Sequence, residues 1–553
     1  MGLFRQQSKL QHRQNNRKQI TDHRRTGWFL EKNSLISSLT KLSLKRNVIA
    51  NFLGQGWTAI MGLAFIPFYI KYLGVEAYGL IGFYAGMQAL LTLLDMGMTP
   101  TLNREMARFS IGAHTSQSIH DLLRSLEIIC LCLSSLIALS LWAGSGYLST
   151  KWLKVNNLPI EQVSQAISIF GLVLALRFVE GIYRGSLFGL QLQVFYNVAN
   201  AILATLRYGG AVVLLAFVSP TIKAFFFWQA GISLLTIFVF ALAVKKSLPP
   251  GDRRPKFKVE AIDEIWKFAG GVMLVTLLGI LLTQVDKVLL SRLLSLESFG
   301  YYTLATTLAG VTYMAVTPIT RAFYPSLVAH YTNNNLNLLA SKYHQGTQLV
   351  TLFTATPVLL ISFFPKELIF IWSGDGTLGE RVAPILSVFA VGVFLNGLMY
   401  MPVQLQLAHG WVSLSVKTNL SAVAVLLPAL FWVVPIYGTL GAAWVWVVLN
   451  IGYVLFSIQF MHRKLLISEK WNWYWYDFFL PAIGPLVIVL IAKWGHATNY
   501  QNRFSECVFL MTVGALAFAV SMASANQIRA KIFWQIKNCQ LILCRVIRLR
   551  FGK

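Results

Sequence analysis

Acidic residues and cysteine are scarce in this 553-residue chain. It contains 21 Asp and Glu and 5 Cys, and charged residues make up 12% of it, against roughly 25% in soluble domains. Cys130, Cys132 and Cys507 fall within apolar stretches, and Cys539 and Cys544 lie in the C-terminal tail, without the spacing of a metal knuckle. We therefore expect small buried thiols, and neither a disulfide framework nor a zinc-stabilised fold.

Sequence motifs of ATP-driven pumps and of hydrolases are also lacking. No Gly-rich phosphate loop ends in Lys-Ser or Lys-Thr, and there is no nucleophile elbow. Five histidines lie in or near predicted loops without a second ligand at useful spacing, so no metal site or cofactor is predicted: His330, His344, His409, His462 and His496. Connections between apolar segments reach only about 20 residues, too short for the soluble domain that membrane glycosyltransferases usually need.

Long hydrophobic runs, by contrast, dominate the chain. Hydrophobic residues make up 56% of it, and its mean hydropathy is +0.59. Runs of about 20 apolar residues recur, each long enough to cross a hydrocarbon core of ~30 Å. We count about fourteen, and twelve or thirteen remain alternatives because only Pro435 to Gly438 separates two of them. The sequence predicts an all-α polytopic membrane protein with about 14 transmembrane helices.

The positive charge is distributed as membrane topology requires. The net charge is +26, and with a cytoplasmic N-terminus about three-quarters of Lys and Arg fall on the cytoplasmic side. An even number of spans places both termini there. The basic tail 526–553 suits a helix lying on the inner leaflet, with a frayed tail as the alternative. We expect attraction to anionic membrane lipids and no nucleic-acid partner.

A weak internal repeat relates the two halves of the chain. Residues 72–79, with Glu76 and Gly79, resemble residues 294–300, which end in Gly300, at an offset of about 220 residues. Asn197 and Asn419 correspond at a similar offset. Two related halves in a membrane chain suggest a transporter, because such folds place the substrate path between repeats. The predicted division is a basic arm 1–46, a six-helix bundle 47–246, a linker 247–265, a second six-helix bundle 266–464, two further helices 465–525 and the tail 526–553.

Charged residues inside the predicted spans are the candidate functional groups, because each is costly there without a partner or water. Arg177, Glu180 and Arg184 fall at i, i+3 and i+7 on one helical face, and Arg207 lies in the middle of the fifth span. In one interpretation the three residues on the fourth span neutralise each other. In the other, Arg177 and Arg207 bind phosphate, to which the planar guanidinium is suited.

Five further ionisable residues lie in or at the ends of spans. Arg104 and Arg321 are interpreted as inner-face anchors or as cavity cations, and Asp95 and Glu127 lie in the second and third spans. Three interpretations remain open for Asp286: it binds a coupling cation, balances Arg177 or Arg207, or pairs with Lys287.

Several motifs together resemble a known family. They are Asn51, Tyr72-Leu73-Gly74, Tyr78-Gly79, Leu94-Asp95-Met96-Gly97, Arg104-Glu105-Met106-Ala107, Tyr183-Arg184-Gly185, Gly189-Leu190-Gln191, Asp286-Lys287, Gly300-Tyr301-Tyr302, Ala408-His409-Gly410, Asn419 and Gly438-Thr439-Leu440-Gly441-Ala442-Ala443. In order and spacing, the stretch from Asn47 to Lys464 resembles the polysaccharide (O-antigen-type) flippases of the multidrug/oligosaccharidyl-lipid/polysaccharide exporter superfamily.

This resemblance implies two six-helix bundles related by a pseudo-two-fold axis around a V-shaped cavity, with two added C-terminal helices. It implies a non-enzymatic flippase that moves undecaprenyl-diphosphate-linked oligosaccharide to the outer leaflet by alternating access. The setting would be a bacterial cytoplasmic membrane, and partners would include other polysaccharide assembly proteins. The expected cavity cations are Arg177, Arg207, Arg184, Arg104 and Arg321. The expected coupling-ion or charge-balancing groups, for H⁺ or Na⁺, are Asp95, Asp286, Glu180 and Glu127.

Two alternatives to this function remain from the sequence. A multidrug cation extruder of the same superfamily would favour an acidic cavity, which the arginines oppose. An integral-membrane glycosyltransferase or polymerase is the alternative from another class.

Overall fold

The computed structural model describes residues 46–530 except 48, 96, 259–276, 278 and 497–501. Within this part the chain is almost entirely helical and contains no strand, which confirms the all-α class. The predicted N-terminal arm, most of the C-terminal tail and the end of the linker lie outside the described residues.

The first half of the chain contributes seven helices. They are α1 (49–64), α2 (Ile66–Leu94), α3 (Met98–Ser110), α4 (Ser116–Tyr147), α5 (Ile160–Gly189), α6 (Gln193–Phe217) and α7 (Ile222–Ser247). Gly74 interrupts α2 with φ 82° and ψ 166°. Because a side chain at positive φ is strained, glycine is the residue suited to this break. The break lies at the junction that the repeat predicted between the first two spans.

The second half and the C-terminal region contribute twelve more helices. They are α8 (279–293), α9 (Leu296–Gly310), α10 (Tyr313–Thr332), α11 (Leu336–Phe363), α12 (Pro365–Ser373), α13 (Gly376–Leu398), α14 (Tyr400–Ala408), α15 (Val412–Gly452), α16 (Ile458–Lys464), α17 (Lys470–Asn472), α18 (Leu480–Gly495) and α19 (Arg503–Ser524). Wider π-helical turns at Tyr453–Ser457 and Trp473–Phe479 continue α15 into α16 and α17 into α18.

Gly438 divides α15 into two antiparallel arms. Its backbone is non-helical, with φ 59° and ψ −142°. Tyr453, which directly follows the second arm, donates its hydroxyl hydrogen bond to Asn419 Oδ1 on the first arm at 3.4 Å. The short connection at Pro435–Gly438 therefore separates two apolar helices, as the sequence suggested.

Ten helical stretches in the described part are long and apolar enough to cross a membrane. One of them, Val412–Lys464, spans 53 residues and contains the Gly438 reversal. A multi-pass membrane protein is therefore confirmed, and the count of fourteen spans stays a prediction.

Side-chain caps mark where many of the helices begin. An oxygen of the residue before the helix accepts a hydrogen bond from a backbone N–H in its first turn, which satisfies a donor that has no partner inside the helix. These caps are Thr115 for α4, Thr221 for α7, Ser295 for α9, Asn335 for α11, Asp375 for α13 and Asn502 for α19. The polar residues before these six helices thus fix the position at which each of the six starts.

The two halves meet where α2 packs against α9. Beside this contact, the backbone N–H of Leu296 donates to the Lys154 carbonyl at 2.8 Å, and Trp152 Nε1 donates to Ser291 Oγ at 3.1 Å. Glu76 orders the same region, because its carboxylate accepts backbone hydrogen bonds from residues 156, 157 and 158 at 2.6, 2.9 and 3.1 Å. The largest buried apolar cluster contains side chains of both halves.

Candidate functional site

A cavity of about 710 Å³ lies between the two halves. Helices α1, α5 and α6 of the first half and α9 and α10 of the second half form its walls. The lining residues are Gln55, Thr58, Ala59, Gly62, Leu63, Arg184, Phe188, Tyr196, Asn197, Asn200, Tyr208, Thr307, Gly310, Val311 and Met314. Since both halves line the cavity, their relative motion would change its access.

Polar side chains join the first-half walls to each other. Asn51 Nδ2 donates to Gln193 Oε1 at 2.9 Å and its Oδ1 accepts from Asn197 Nδ2 at 2.6 Å. One turn onward, Asn200 Nδ2 donates to Thr58 Oγ1 at 3.1 Å. These bonds hold α1 on α6 and leave amides and hydroxyls at the cavity surface.

Among the described residues that line the cavity, Arg184 is the only charged one. It lies near the end of α5 and its side chain is exposed. Asp95 and Tyr196 are close enough to interact with it electrostatically. The guanidinium therefore faces the cavity, where its planar donor geometry suits a ligand that carries phosphate.

Arg177, Glu180 and Arg207 form a separate buried ion cluster. Glu180 Oε2 lies 3.5 Å from Arg177 Nη1 and 3.6 Å from Arg207 Nη2. Arg207 Nη2 also donates to Thr236 Oγ1 at 3.1 Å. Two guanidinium groups share one carboxylate, so the cluster keeps one positive charge in excess.

This cluster lies next to the cavity and is not part of its lining. Tyr208, which does line it, interacts electrostatically with both Arg177 and Arg207. The Nε atoms of the two arginines have no hydrogen-bond partner among the described residues. Arg177 therefore pairs with Glu180 on the fourth span, whereas Arg184 lines the cavity and is not part of this pair.

Asp95 and Asp286 differ in how fully they are hydrogen-bonded. Asp95 caps the turn into α3, because its Oδ1 accepts from the Thr99 hydroxyl at 2.7 Å and from the Thr99 N–H at 3.2 Å. Asp286 Oδ2 accepts from the Tyr302 hydroxyl at 2.9 Å, and its Oδ1 has no partner in the described part of the chain. Lys287 instead donates to Gln284 at 3.2 Å.

Three further predicted site residues lie away from the cavity lining. Arg104 Nε pairs at 2.7 Å with Glu105, which also pairs with Arg108 and His114. Glu127 accepts from the Tyr183 hydroxyl at 2.8 Å and pairs with Arg124 at 3.3 Å. Arg321 is exposed on α10, with no hydrogen bond or ion pair to another described residue.

Two expectations from the sequence were wrong, one for Cys132, which is exposed and not buried, and one for His344. His344 is buried within α11 and lies against two carboxylates, although the sequence placed it in or near a loop without partners. Among the polar residues at the contact of α1 with α6, the sequence analysis singled out only Asn51, as a motif residue, and Asn197, in the internal repeat. The spacing of these polar residues at 51, 55 and 58 on α1 and at 193, 197 and 200 on α6 follows the helical period, and this signal could have identified a polar face.

An all-helical membrane chain with a polar cavity between two halves has the architecture of a secondary transporter. The profile of the family described as "Polysaccharide biosynthesis protein" matches residues 44–329, slightly more than half of the chain. The chain therefore belongs to this family, which confirms the resemblance seen in the sequence.

Individual relatives agree with this assignment. The "Putative O-antigen transporter" of Shigella flexneri is 19% identical over 407 residues, which cover 73% of this chain and 94% of the relative. The "Uncharacterized membrane protein EpsK" of Bacillus subtilis (strain 168) is 23% identical over 398 residues, which cover 69% of this chain and 74% of the relative.

Two solved structures share the fold at low identity. The inward closed conformation of the lipid II flippase MurJ superposes with a TM-score of 0.63 at 14% identity, covering 88% of this chain and 98% of that chain. An inward-facing multidrug resistance MATE family transporter of the MOP superfamily gives a TM-score of 0.59 at 15% identity, covering 75% and 96%. The fold is therefore that of the MOP superfamily transporters.

Proposed function

We propose that this protein is a flippase that moves a lipid-linked oligosaccharide, of the undecaprenyl-diphosphate type, from the cytoplasmic to the outer leaflet. The observation that carries the proposal is the cavity between the halves, with Arg184 as its charged lining residue and amides around it. Guanidinium groups bind phosphate oxygens bidentately, and amides and hydroxyls suit sugar hydroxyls. Membership of the polysaccharide biosynthesis family and the similarity to an O-antigen transporter support the same substrate class.

Arg184 is the group that we propose contacts the diphosphate directly. Arg177 and Arg207 contribute through the excess charge of their cluster, which acts on the cavity across Tyr208. A charge of this kind in a low-dielectric surround acts over longer distances than it would in water. The same charge opposes entry of cationic drugs, so the multidrug alternative is disfavoured.

Alternating access is the mechanism we propose. The contact of α2 with α9 closes one end of the interface between halves, on the side of the connections 148–159 and 294–296. The positive-inside distribution assigns these connections to the outer face and both termini to the cytoplasm. We propose that the structure represents an inward-facing state in a bacterial cytoplasmic membrane, from which separation of α2 from α9 would open the outer side.

For coupling to H⁺ or Na⁺ we propose Asp286 ahead of Asp95. Asp286 keeps one carboxylate oxygen without a partner among the described residues, whereas Asp95 is occupied by Thr99. Asp286→Asn is expected to abolish the dependence of export on the coupling ion while leaving the protein folded. Anionic membrane lipids, attracted to the cytoplasmic basic residues, and other polysaccharide assembly proteins are the further partners we propose.

Export of surface glycan in cells that lack the native gene tests the role of Arg184. Arg184→Ala is expected to lower export by roughly 10- to 100-fold at equal expression, since a charge-assisted hydrogen bond is lost. Arg184→Lys keeps the charge without the bidentate geometry and should retain part of the export. Arg381→Ala, an exposed arginine on α13 outside the cavity, is the matched control. Normal export by both Arg184→Ala and the double variant Arg177→Ala/Arg207→Ala would refute the proposal.

A further inference from the structure

A buried polar cluster joins α11 to the helices that follow α16. It contains His344 and Gln348 of α11, Glu469 and Asp477 before α18, and Asn526 after α19. None of these residues lines the cavity between the halves. Buried ionisable groups in membrane helices are energetically costly unless they are paired. The stability of this cluster therefore depends on the partner that each ionisable group has.

Gln348 fixes the position of the Asp477 carboxylate. Its Nε2 donates to Asp477 Oδ1 at 2.9 Å and to Asn526 Oδ1 at 2.6 Å, and its Oε1 accepts from the Gln527 N–H at 3.0 Å. Thr351, one turn further along α11, donates to the Asp477 backbone carbonyl at 2.7 Å. The carboxylate is therefore held against α11 independently of the histidine.

His344 lies between two carboxylates. Its Nδ1 is hydrogen-bonded to Asp477 Oδ2, and its Nε2 lies 3.2 Å from Glu469 Oε2. A neutral imidazole has one N–H donor and one lone pair, whereas the protonated ring donates from both nitrogens. With an ionised carboxylate on each side, only the protonated ring satisfies both contacts, because the neutral ring would turn its lone pair toward a carboxylate.

The two carboxylates cannot converge on one metal ion, because they lie on opposite nitrogens of the ring. Tyr343 and His462 are further titratable groups near the ring. Tyr343 packs between His344 and His462, with ring centroids 5.3 and 5.9 Å away, and Lys470 acts electrostatically on His462. Among the described residues, the other helices packed on α11 place no further carboxylate, lysine, arginine or histidine within hydrogen-bond or ion-pair distance of the His344 ring.

We propose that His344, Asp477 and Glu469 form a proton-binding site that fastens the last two long helices to α11. The bound proton bridges α11 and the stretch before α18, and its loss would leave Asp477, which is 1% exposed, without a cationic partner. Glu469 is 24% exposed and gives solvent protons a route to the ring. The site is separate from the proposed substrate cavity and does not depend on the flippase proposal.

A solid-state ¹⁵N NMR titration of the full-length protein in liposomes, labelled at histidine nitrogens, tests this site. The His344 signals are those that disappear in His344→Gln. His462→Gln is the matched control, because His462 is also buried but has no carboxylate at hydrogen-bond distance among the described residues. At about pH 7.5, where an exposed histidine is mostly neutral, His344 is expected to give imidazolium signals and His462 neutral-ring signals.

The carboxylate variants provide the second arm of the test. In Asp477→Asn and in Glu469→Gln, the His344 ring is expected to become neutral at the same pH. Glu469→Gln alters a partly exposed side chain, so it keeps the test usable if the buried variants fail to fold. A neutral His344 ring in the wild-type protein at about pH 7.5 would overturn the proposal. A charged ring that persists in both carboxylate variants would overturn it as well.

Discussion

Gly79 of α2 and Gly300 of α9 face each other across the contact between the two halves. A Cβ atom added to Gly79 would lie 2.2 Å from the Leu296 carbonyl oxygen, and one added to Gly300 would lie 2.4 Å from the Val75 carbonyl oxygen. The two positions correspond in the internal repeat. Neither position has room for a side chain. The two glycines of the repeat therefore lie where the backbones of the two halves approach each other closely.

Enlarging either glycine is expected to separate α2 from α9 at the contact near Gly79 and Gly300. Gly79→Val and Gly300→Val force backbone to move, because the neighbouring atoms are carbonyl oxygens and not flexible side chains. The measurement is the distance between spin labels at Leu73→Cys and Ser298→Cys, which should increase and broaden. Gly231→Val is the control, since no atom lies within 4 Å of its added Cβ. An unchanged distance distribution in both variants would contradict the expectation.

Glu76→Gln is expected to destabilise the protein by about 1–3 kcal/mol, because a carboxylate that accepts three backbone N–H groups is replaced by a weaker acceptor. Residues 156, 157 and 158 supply those donors at 2.6, 2.9 and 3.1 Å. Denaturant unfolding in detergent gives the change in the free energy of unfolding. Glu161→Gln is the control, because Glu161 is exposed and, among the described residues, accepts a hydrogen bond only from Gln165. Equal effects of the two substitutions would argue against the capping role.

The buried ion cluster predicts a non-additive pair of substitutions. Glu180→Ala leaves Arg177 and Arg207 without their shared carboxylate, and breaking a buried pair costs about 3–5 kcal/mol. The double variant Glu180→Ala/Arg207→Ala removes one of the stranded charges and should recover part of that loss. A double-mutant cycle on the free energy of unfolding measures the coupling. Strict additivity would show that Glu180 and Arg207 do not interact.

Glu105 predicts a loss of stability in acid. Burial disfavours its charge, but hydrogen bonds from His114 and Arg104 outweigh burial and hold the pKa of Glu105 below its ordinary value. A carboxyl whose pKa is lower in the folded state contributes stability above the unfolded pKa of about 4.5 and loses it as the pH falls through the folded pKa. Unfolding free energies in detergent, measured from neutral pH downward, should therefore decline less in Glu105→Gln than in the wild-type protein. Parallel declines would contradict this assignment.

Helices and their order could be predicted from the sequence because apolar length is a local property. The spans and the breaks at Gly74 and Gly438 come from such local patterns, and the correspondence of Gly79 with Gly300 comes from the internal repeat. Contacts between distant helices could not be predicted in the same way. The sequence placed Arg177, Glu180 and Arg184 on one helical face, but seven residues of helix separate Arg177 from Arg184 by about 10 Å along the axis. Arg177 therefore joins Arg207 of α6, while Arg184 reaches the cavity.

The contacts of His344 and Gln348 could not be predicted from the sequence either. Asp477 lies 133 residues after His344, and Asn526 lies 178 residues after Gln348. No helical spacing links residues so far apart, and only the packing of α18 and α19 on α11 brings them together.

The most direct test of the flippase account is the leaflet on which lipid-linked glycan accumulates in a strain that lacks this gene but retains its glycosyltransferases. The account predicts that complete repeat units build up on the cytoplasmic leaflet, and that re-expression of the wild-type protein, but not of Arg184→Ala, returns them to the outer leaflet. Normal appearance of glycan on the outer leaflet in the deletion strain, with altered sensitivity to cationic dyes instead, would contradict it and favour a drug extruder.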